Sequence, residues 1–317
     1  MDRVLVTGCS GFVGRVLTAR LAERGFEVWG IDRAGEGGGV AGEHYMPLDL
    51  TDGNALGGFL ERAKPRHIVH LAAQSSAGRS FDAPEETIRN NTLPVLHILE
   101  FLRTQKTGTR LLAVGSAEIY GPVTPDDLPL AETRATNPVS PYALSKLIQE
   151  QCCGLYHALY EADVVSTRSF NHTGAGQSDA FVLSSFARQV AEIRAGEREP
   201  VVEVGNVDVR RDFSDVRDVC EAYVALLDRG RGGAVYNVCS GASHSLRELL
   251  EKLASLAGVD IEIRVEPGRV RPVDIEELRG DHQKITADTG WRPRTPVENT
   301  LSSLLEYWSH TGGPAAQ

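Results

Sequence analysis

The apolar run RVLVTG at residues 3–8 leads straight into TGCSGFVG, which sets Gly8, Gly11 and Gly14 between a buried strand and a helical pattern over 13–25. Val13, Val16, Leu17 and Leu21 recur at helical spacing, and Gly25 is a natural stop. Glycines in such a turn let the backbone bend tightly and approach a pyrophosphate. The helix behind them offers free N–H groups and the positive end of its dipole. The spacing G-x-x-G-x-x-G is a variant of the dinucleotide fingerprint. Alone it could be a ligand-free turn; its strand–turn–helix setting favours a cofactor loop, with Phe12 and Val13 as further contacts.

The same alternation continues downstream. Short apolar runs at 27–32, 67–73, 110–116 and 163–170 read as strands, with helical stretches at 86–104 and 141–161. Fully apolar strands alternating with helices predict an α/β fold, a Rossmann-type doubly wound parallel sheet. The second half is less regular. It reads as helices over 181–195, 216–229, 246–256 and 298–308, with strands at 201–206 and 234–241. The expected organisation is a dinucleotide-binding domain, 1–171 and 210–240, and a smaller, discontinuous α/β substrate domain, 172–209 and 241–317. The tail 310–317 reads as disordered.

Composition narrows the partners. The net charge of −10 argues against nucleic acid, which needs a positive field to release counterions. Local arginines can still hold a small anion. The five cysteines are odd in number and form no C-x-x-C pair, so neither a disulfide framework nor a metal site is expected. No apolar run is long enough to span a membrane, and the N-terminus enters a strand at once rather than reading as a signal peptide. The expected location is the cytoplasm.

Asp32 ends the second strand. A carboxylate there accepts from a ribose 2′-hydroxyl and repels a 2′-phosphate, favouring NAD over NADP. Arg33 follows directly and could stack on adenine or pair with that phosphate, so NADP stays open. In LDLTD (48–52), Asp49 can bond an adenine amino group or simply cap a turn, with Leu50 beside it.

SPYALSK (140–146) puts Tyr142 and Lys146 one helical turn apart on a common face. An ammonium near a phenol lowers its pKa and makes proton exchange accessible near neutrality. An isolated Tyr-x-x-x-Lys is as easily a surface pair. Here Ser116 ends the strand RLLAVGS upstream, where open α/β sheets build their sites. Its hydroxyl can bond a substrate oxygen and share a proton with Tyr142.

The glycine loop, Ser116, Tyr142 and Lys146, in this order and spacing, resemble the extended short-chain dehydrogenase/reductase family over nearly the whole chain. The resemblance implies a catalytic Ser116–Tyr142–Lys146 set, with Lys146 also holding the nicotinamide ribose. HLAAQSS (70–76) looks like the family's cofactor-lining strand, implying contacts from Leu71, Ala72, Ala73 and Gln74, and a substrate contact from Ser75. Glu118 matches the position where family dehydratases carry an acid–base glutamate; its alternative is a solvated loop carboxylate.

Further segments, RSFNHTGAGQSDAFVLSSFARQVAEI (168–193), VGNVDVRRDFSDVRDV (204–219), VYNVCSG (235–241) and RVRPVDIEELRGD (269–281), resemble the GDP-mannose 4,6-dehydratase and GDP-4-keto-6-deoxy-D-mannose reductase branch. The resemblance is denser to the reductases, because the segment after the second strand is short and Gly-rich. It implies a GDP-linked sugar substrate, with Asn171 on a diphosphate oxygen, Val182 and Arg188 at the guanine, and Arg211 and Arg271 clamping the diphosphate. Ser169 and Ala175 stand where the family usually has proline. The implied activity is a sugar-nucleotide 4-ketoreductase giving GDP-D-rhamnose. The rivals are an NAD-retaining 4,6-dehydratase or 4-epimerase and a non-catalytic nucleotide-binding protein. A homodimer through the helices near 90–104 and 142–160 is the expected assembly.

Overall fold

The first three strands, β1 (Arg3–Thr7), β2 (Glu27–Asp32) and β3 (Tyr45–Pro47), lie parallel in one sheet edge, the first two linked by α1 (Phe12–Glu23). The computed structural model describes residues 2–33, 39–106, 108–269 and 275–310. Beyond β3 come α2 (Gly53–Ala63), β4 (His67–His70), α3 (Ala77–Asp82), α4 (Pro84–Gln105), β5 (Arg110–Ser116), α5 (Pro141–Tyr160) and β6 (Val164–Ser169). The chain then runs through β7 (Asn171–Thr173), α6 (Val182–Arg194), β8 (Val201–Val204), β9 (Arg210–Asp215), α7 (Val216–Arg229) and β10 (Val235–Val238). It closes with β11 (Ser243–Ser245), α8 (Leu246–Ala257), β12 (Glu262–Val265), β13 (Glu277–Leu278), α9 (Gln283–Thr289) and α10 (Val297–His310).

The main sheet has the order β10-β6-β5-β4-β1-β2-β3, all parallel. The order reverses between β1 and β4, which opens a crevice at the carboxyl ends of those strands. One face is sealed by α1 and α7 through Leu17, Leu21, Val219, Tyr223 and Leu226. The other is sealed by α2, α4 and α5 through Leu56, Leu60, Ile98, Leu99 and Cys153. Covering both faces is what apolar strands require, so the doubly wound α/β expectation holds.

A smaller unit packs beyond the carboxyl ends of the main sheet. Its core joins α6, α8 and α10 through Phe186, Val190, Leu249, Leu253, Leu301 and Leu304. Its strands form the pair β12-β8 and a sheet in which β9 joins β11, β13 and β7. Residues 210–215, which the sequence groups with the nucleotide half, therefore pair as β9 in the small sheet; α7 and β10 after them belong to the large one. Conversely α9, inside 241–317, packs Ile285 into the core under α7.

Local chemistry fixes the helix starts nearest the site. Ser140 caps α5 by accepting from Ala143 N at 3.0 Å, and Pro141 occupies the first turn, where a missing N–H costs nothing. Strand 67–73 ends early, at His70, because Ala72 N–H turns onto Thr7 Oγ1 at 3.2 Å instead of continuing the ladder.

Candidate active site

The crevice is built on the glycine loop. Gly8 has φ +74°, and a Cβ there would lie 3.0 Å from the Ala72 backbone nitrogen. At Gly14 a Cβ would lie 2.1 Å from Gly8 O, so the first turn of α1 packs directly on the loop. Gly11 is the N-cap, without a side-chain cap, and no acid stands in the first turn. Backbone N–H groups there are left for an anionic ligand, as a bound dinucleotide diphosphate needs. Asp32 reaches back to the loop: its carboxylate accepts from Ser10 N at 3.1 Å and from Arg33 N at 2.8 Å. Phe12 stacks on His172, with ring centroids 6.5 Å apart, and Arg15 donates to Ser10 O and Gly176 O. The loop thus faces the Asn171–Gly176 segment of the smaller unit.

Asp49 accepts from Thr51 N and Thr51 Oγ1, which holds its carboxyl below the usual range. This is the turn-capping geometry. Leu50 is buried and Leu71, Ala72, Ala73 and Gln74 are partly so, along the crevice wall.

Ser116 ends β5 and its Oγ accepts from Glu118 N at 3.2 Å, which starts a 3-10 turn over Ala117–Tyr120. The chain therefore curls at Ser116 rather than staying extended through Glu118, as a shared strand face would need. The Glu118 carboxylate nonetheless acts on Tyr142 through its charge. Burial pushes the Tyr142 phenol well above its ordinary value, the Glu118 carboxylate adds to this, and the Ser116 hydroxyl opposes it. Lys146 is not among the groups that act on the phenol in this way. Its ammonium donates to Val114 O at 2.9 Å and to Gln149 Oε1 at 3.3 Å. Burial, rather than the expected lowering by Lys146, therefore dominates the phenol.

Burial brings Lys146 itself down to about 8. The unfolded value is about 10.4. Between the two, the unfolded chain keeps a proton the folded chain has lost, so stability rises with pH across this window. Below it the folded protein carries the full cost of a buried ammonium. Lys146→Met is expected to raise Tm by several degrees at about pH 7, with the gain shrinking toward about pH 10. Thermal melts at both pH values check this; an equal gain at both would refute the buried-charge account.

The remaining expected substrate residues spread along the small-unit side. Asn171 is exposed at the start of β7, Ser75 is exposed before α3, and Val182 opens α6. Arg188 is engaged by Asp179 and Glu192, and Arg211 donates to Arg210 O and Ile275 O. Arg271 lies outside the described residues.

Three organising groups were not read from sequence. Asn91, fully buried on α4, accepts from Gln74 N at 2.7 Å and donates to Gln74 O at 3.1 Å and to Ser145 Oγ at 2.9 Å. Ser145 in turn donates to Tyr142 O at 2.7 Å, so one amide ties the cofactor wall to the Tyr142–Lys146 turn. Its signal was available: Asn91 stands in register with Val95, Ile98 and Leu102 on the buried stripe of α4. Thr7 joins His70 Nδ1 at 2.8 Å while accepting from Ala72 N, and burial drives His70 down to about 3, so its ring is neutral beside Lys146. The third is the buried pair Arg168–Glu150 behind Ser116.

The fold and the grouping of these side chains at the carboxyl ends of β4 and β5 define the class: an extended short-chain dehydrogenase/reductase, an NAD(P)-dependent enzyme. The family model described as GDP-mannose 4,6 dehydratase matches residues 5–304, and the chain belongs to that family. It is 37% identical over 311 residues to GDP-6-deoxy-D-mannose reductase of Pseudomonas aeruginosa, covering 97% of each chain. The structure of RMD from Pseudomonas aeruginosa complexed with NADPH superposes with a TM-score of 0.87 at 36% identity, covering 98% of this chain and 100% of that one. UDP-glucose 4-epimerase of Thermus thermophilus in complex with NAD gives 0.86 at 31% identity, covering 97% and 99%.

Proposed function

We propose that the chain reduces the C4 ketone of a GDP-linked 4-keto-6-deoxy-D-mannose to give GDP-D-rhamnose. The observation that carries this reading is the 37% identity to a GDP-6-deoxy-D-mannose reductase across 97% of both chains. When bound, the nicotinamide supplies the hydride. Ser116 orients the ketone oxygen, and Tyr142, kept protonated by burial, donates to the oxyanion that develops. Lys146 would hold the nicotinamide ribose. Gly8, Gly11, Phe12, Val13 and Gly14 would hold the diphosphate of the cofactor. Asn171 and Arg211 hold that of the substrate, and Arg188 and Val182 border its base.

Asp32 supports NAD, whereas the neighbouring RMD structure contains NADPH. The ratio of kcat/KM for NADH and NADPH in one assay reads the preference. We assign 1–171 and 216–240 to the nucleotide domain, with β9 in the small sheet. A homodimer through α4 and α5 is supported by the exposed apolar residues Leu144, Leu155 and Leu159 on α5. No described helix is long and apolar enough to cross a membrane, and we place the enzyme in the cytoplasm.

Glu118 favours a second reading, internal redox with resident NAD in a 4,6-dehydratase or 4-epimerase, because its carboxylate acts on the Tyr142 phenol through its charge. The two separate in one experiment. Reduction predicts stoichiometric NAD(P)H oxidation with the GDP-4-keto-6-deoxy sugar, and Glu118→Gln should keep that activity within about tenfold. Water loss from GDP-mannose without added cofactor, abolished in Glu118→Gln, would establish the dehydratase instead.

A further inference from the structure

At the amino ends of β1, β4 and β5 the molecule has a second cleft, of about 900 Å³, at the opposite end of β5 from Ser116. Arg110 lines it at one end of β5 while Ser116 stands at the other, roughly 20 Å away at strand rise. Seven arginines and five carboxylates line this cleft, on a protein whose net charge is −10.

The carboxylates are occupied. Glu221 is paired by both Arg20 and Arg24, Asp2 by Arg66 at 3.1 Å, and Asp163 by Arg110 at 2.9 Å. Asp228 lies 3.5 Å from Arg229, and Asp218 accepts from the backbone N–H of Arg294 and Thr295. The negative end of the α7 dipole is also covered, because Arg110 Nη1 takes the carbonyls of Leu227 and Gly230 at 3.2 and 2.9 Å. Two cations remain over. Among the described residues neither the Arg292 nor the Arg294 guanidinium has a carboxylate partner, and both side chains are exposed at the rim. On the wall, His67 Nδ1 is buried without a hydrogen-bond partner. Burial, with Arg66 next to it, lowers the pKa of that ring.

We infer that this cleft binds a small, multiply charged phosphate anion of the diphosphate type, held by Arg292 and Arg294. Guanidinium forks suit phosphate oxygens, and the volume falls in the range of small-molecule sites. The paired carboxylates and the overall acidity disfavour a nucleic-acid strand, whose phosphates extend well beyond one concave pocket.

The test is calorimetric titration of the NADPH-loaded enzyme with inorganic pyrophosphate, alongside its inhibition of turnover, which reports the substrate site separately. Arg292→Gln/Arg294→Gln should weaken one class of pyrophosphate binding by about tenfold or more, the loss of two charge-assisted contacts. kcat, KM and the pyrophosphate inhibition constant should stay unchanged, as should Tm. Arg264→Gln, an exposed arginine on β12 away from the cleft, should leave the titration as it was. Identical titrations for wild type and the double variant, or the absence of any pyrophosphate binding beyond that explained by inhibition, would overturn the proposal.

Discussion

Replacing Tyr142 by Phe is expected to lower kcat for ketone reduction by about 10³-fold, the scale of a lost positioned proton donor. The ring is half-buried at the start of α5, and Phe preserves its packing, so the fold and KM should change little. Only the hydroxyl goes. That hydroxyl is biased toward its protonated form, by burial first and by the Glu118 carboxylate second. A protonated phenol next to Ser116 is the state a reductase needs at neutral pH, since its task is to give a proton to a developing alkoxide. Oxidation runs through the same transition state with the proton moving the other way, so the loss in Tyr142→Phe should be similar in both directions. Steady-state kinetics with cofactor titrated separately checks this. Retention of activity within about tenfold would remove Tyr142 from the proton step.

The alternation of apolar strands with helices was enough to anticipate the main sheet, because strands covered on both faces carry their burial in every residue. β1, β2, β5 and β6 stand within a residue or two of their expected bounds. α2 was not legible: Gly53, Gly57 and Gly58 depress helix propensity, and what holds it is its buried face of Leu56, Phe59, Leu60 and Ala63. The strands β7, β9, β11 and β13 were also missed. Each is short and its pairing is set by partners distant in sequence, such as Ser243–Ser245 against Arg210–Asp212. At the site, the loop glycines and Ser116, Tyr142 and Lys146 were readable because their spacing is local. What surrounds them was not, since Asn91 meets Ser145, and Arg168 meets Glu150 and Tyr120, only after the chain has folded.

That buried pair is where the second large effect is expected. Arg168 Nε and Nη2 donate to the two Glu150 oxygens at 2.9 and 2.8 Å, with both side chains 8% exposed. Burial alone would lower the guanidinium pKa; the Glu150 hydrogen bonds and the Tyr120 ring outweigh it and hold it raised. Arg168 also donates to Glu132 O at 3.0 Å and lies 4.8 Å from the Tyr120 ring centre. Tyr120 OH continues to Asn237 Oδ1 at 2.8 Å. The pair therefore joins α5, one turn beyond Lys146, to the 3-10 turn that begins at Ser116 and to β10. Arg168→Met should destabilise the protein by about 3–5 kcal/mol, because the Glu150 carboxylate is left buried and unpaired. Arg168→Met/Glu150→Leu should recover most of that loss, since no charge is then stranded. Urea midpoints for the two variants decide the matter: equal destabilisation would mean that packing against Tyr120, rather than charge pairing, is what the arginine supplies. If the pair also sets the Ser116–Lys146 geometry, the double variant should regain stability while kcat stays depressed and KM is nearly unchanged, which a purely stabilising role would not produce.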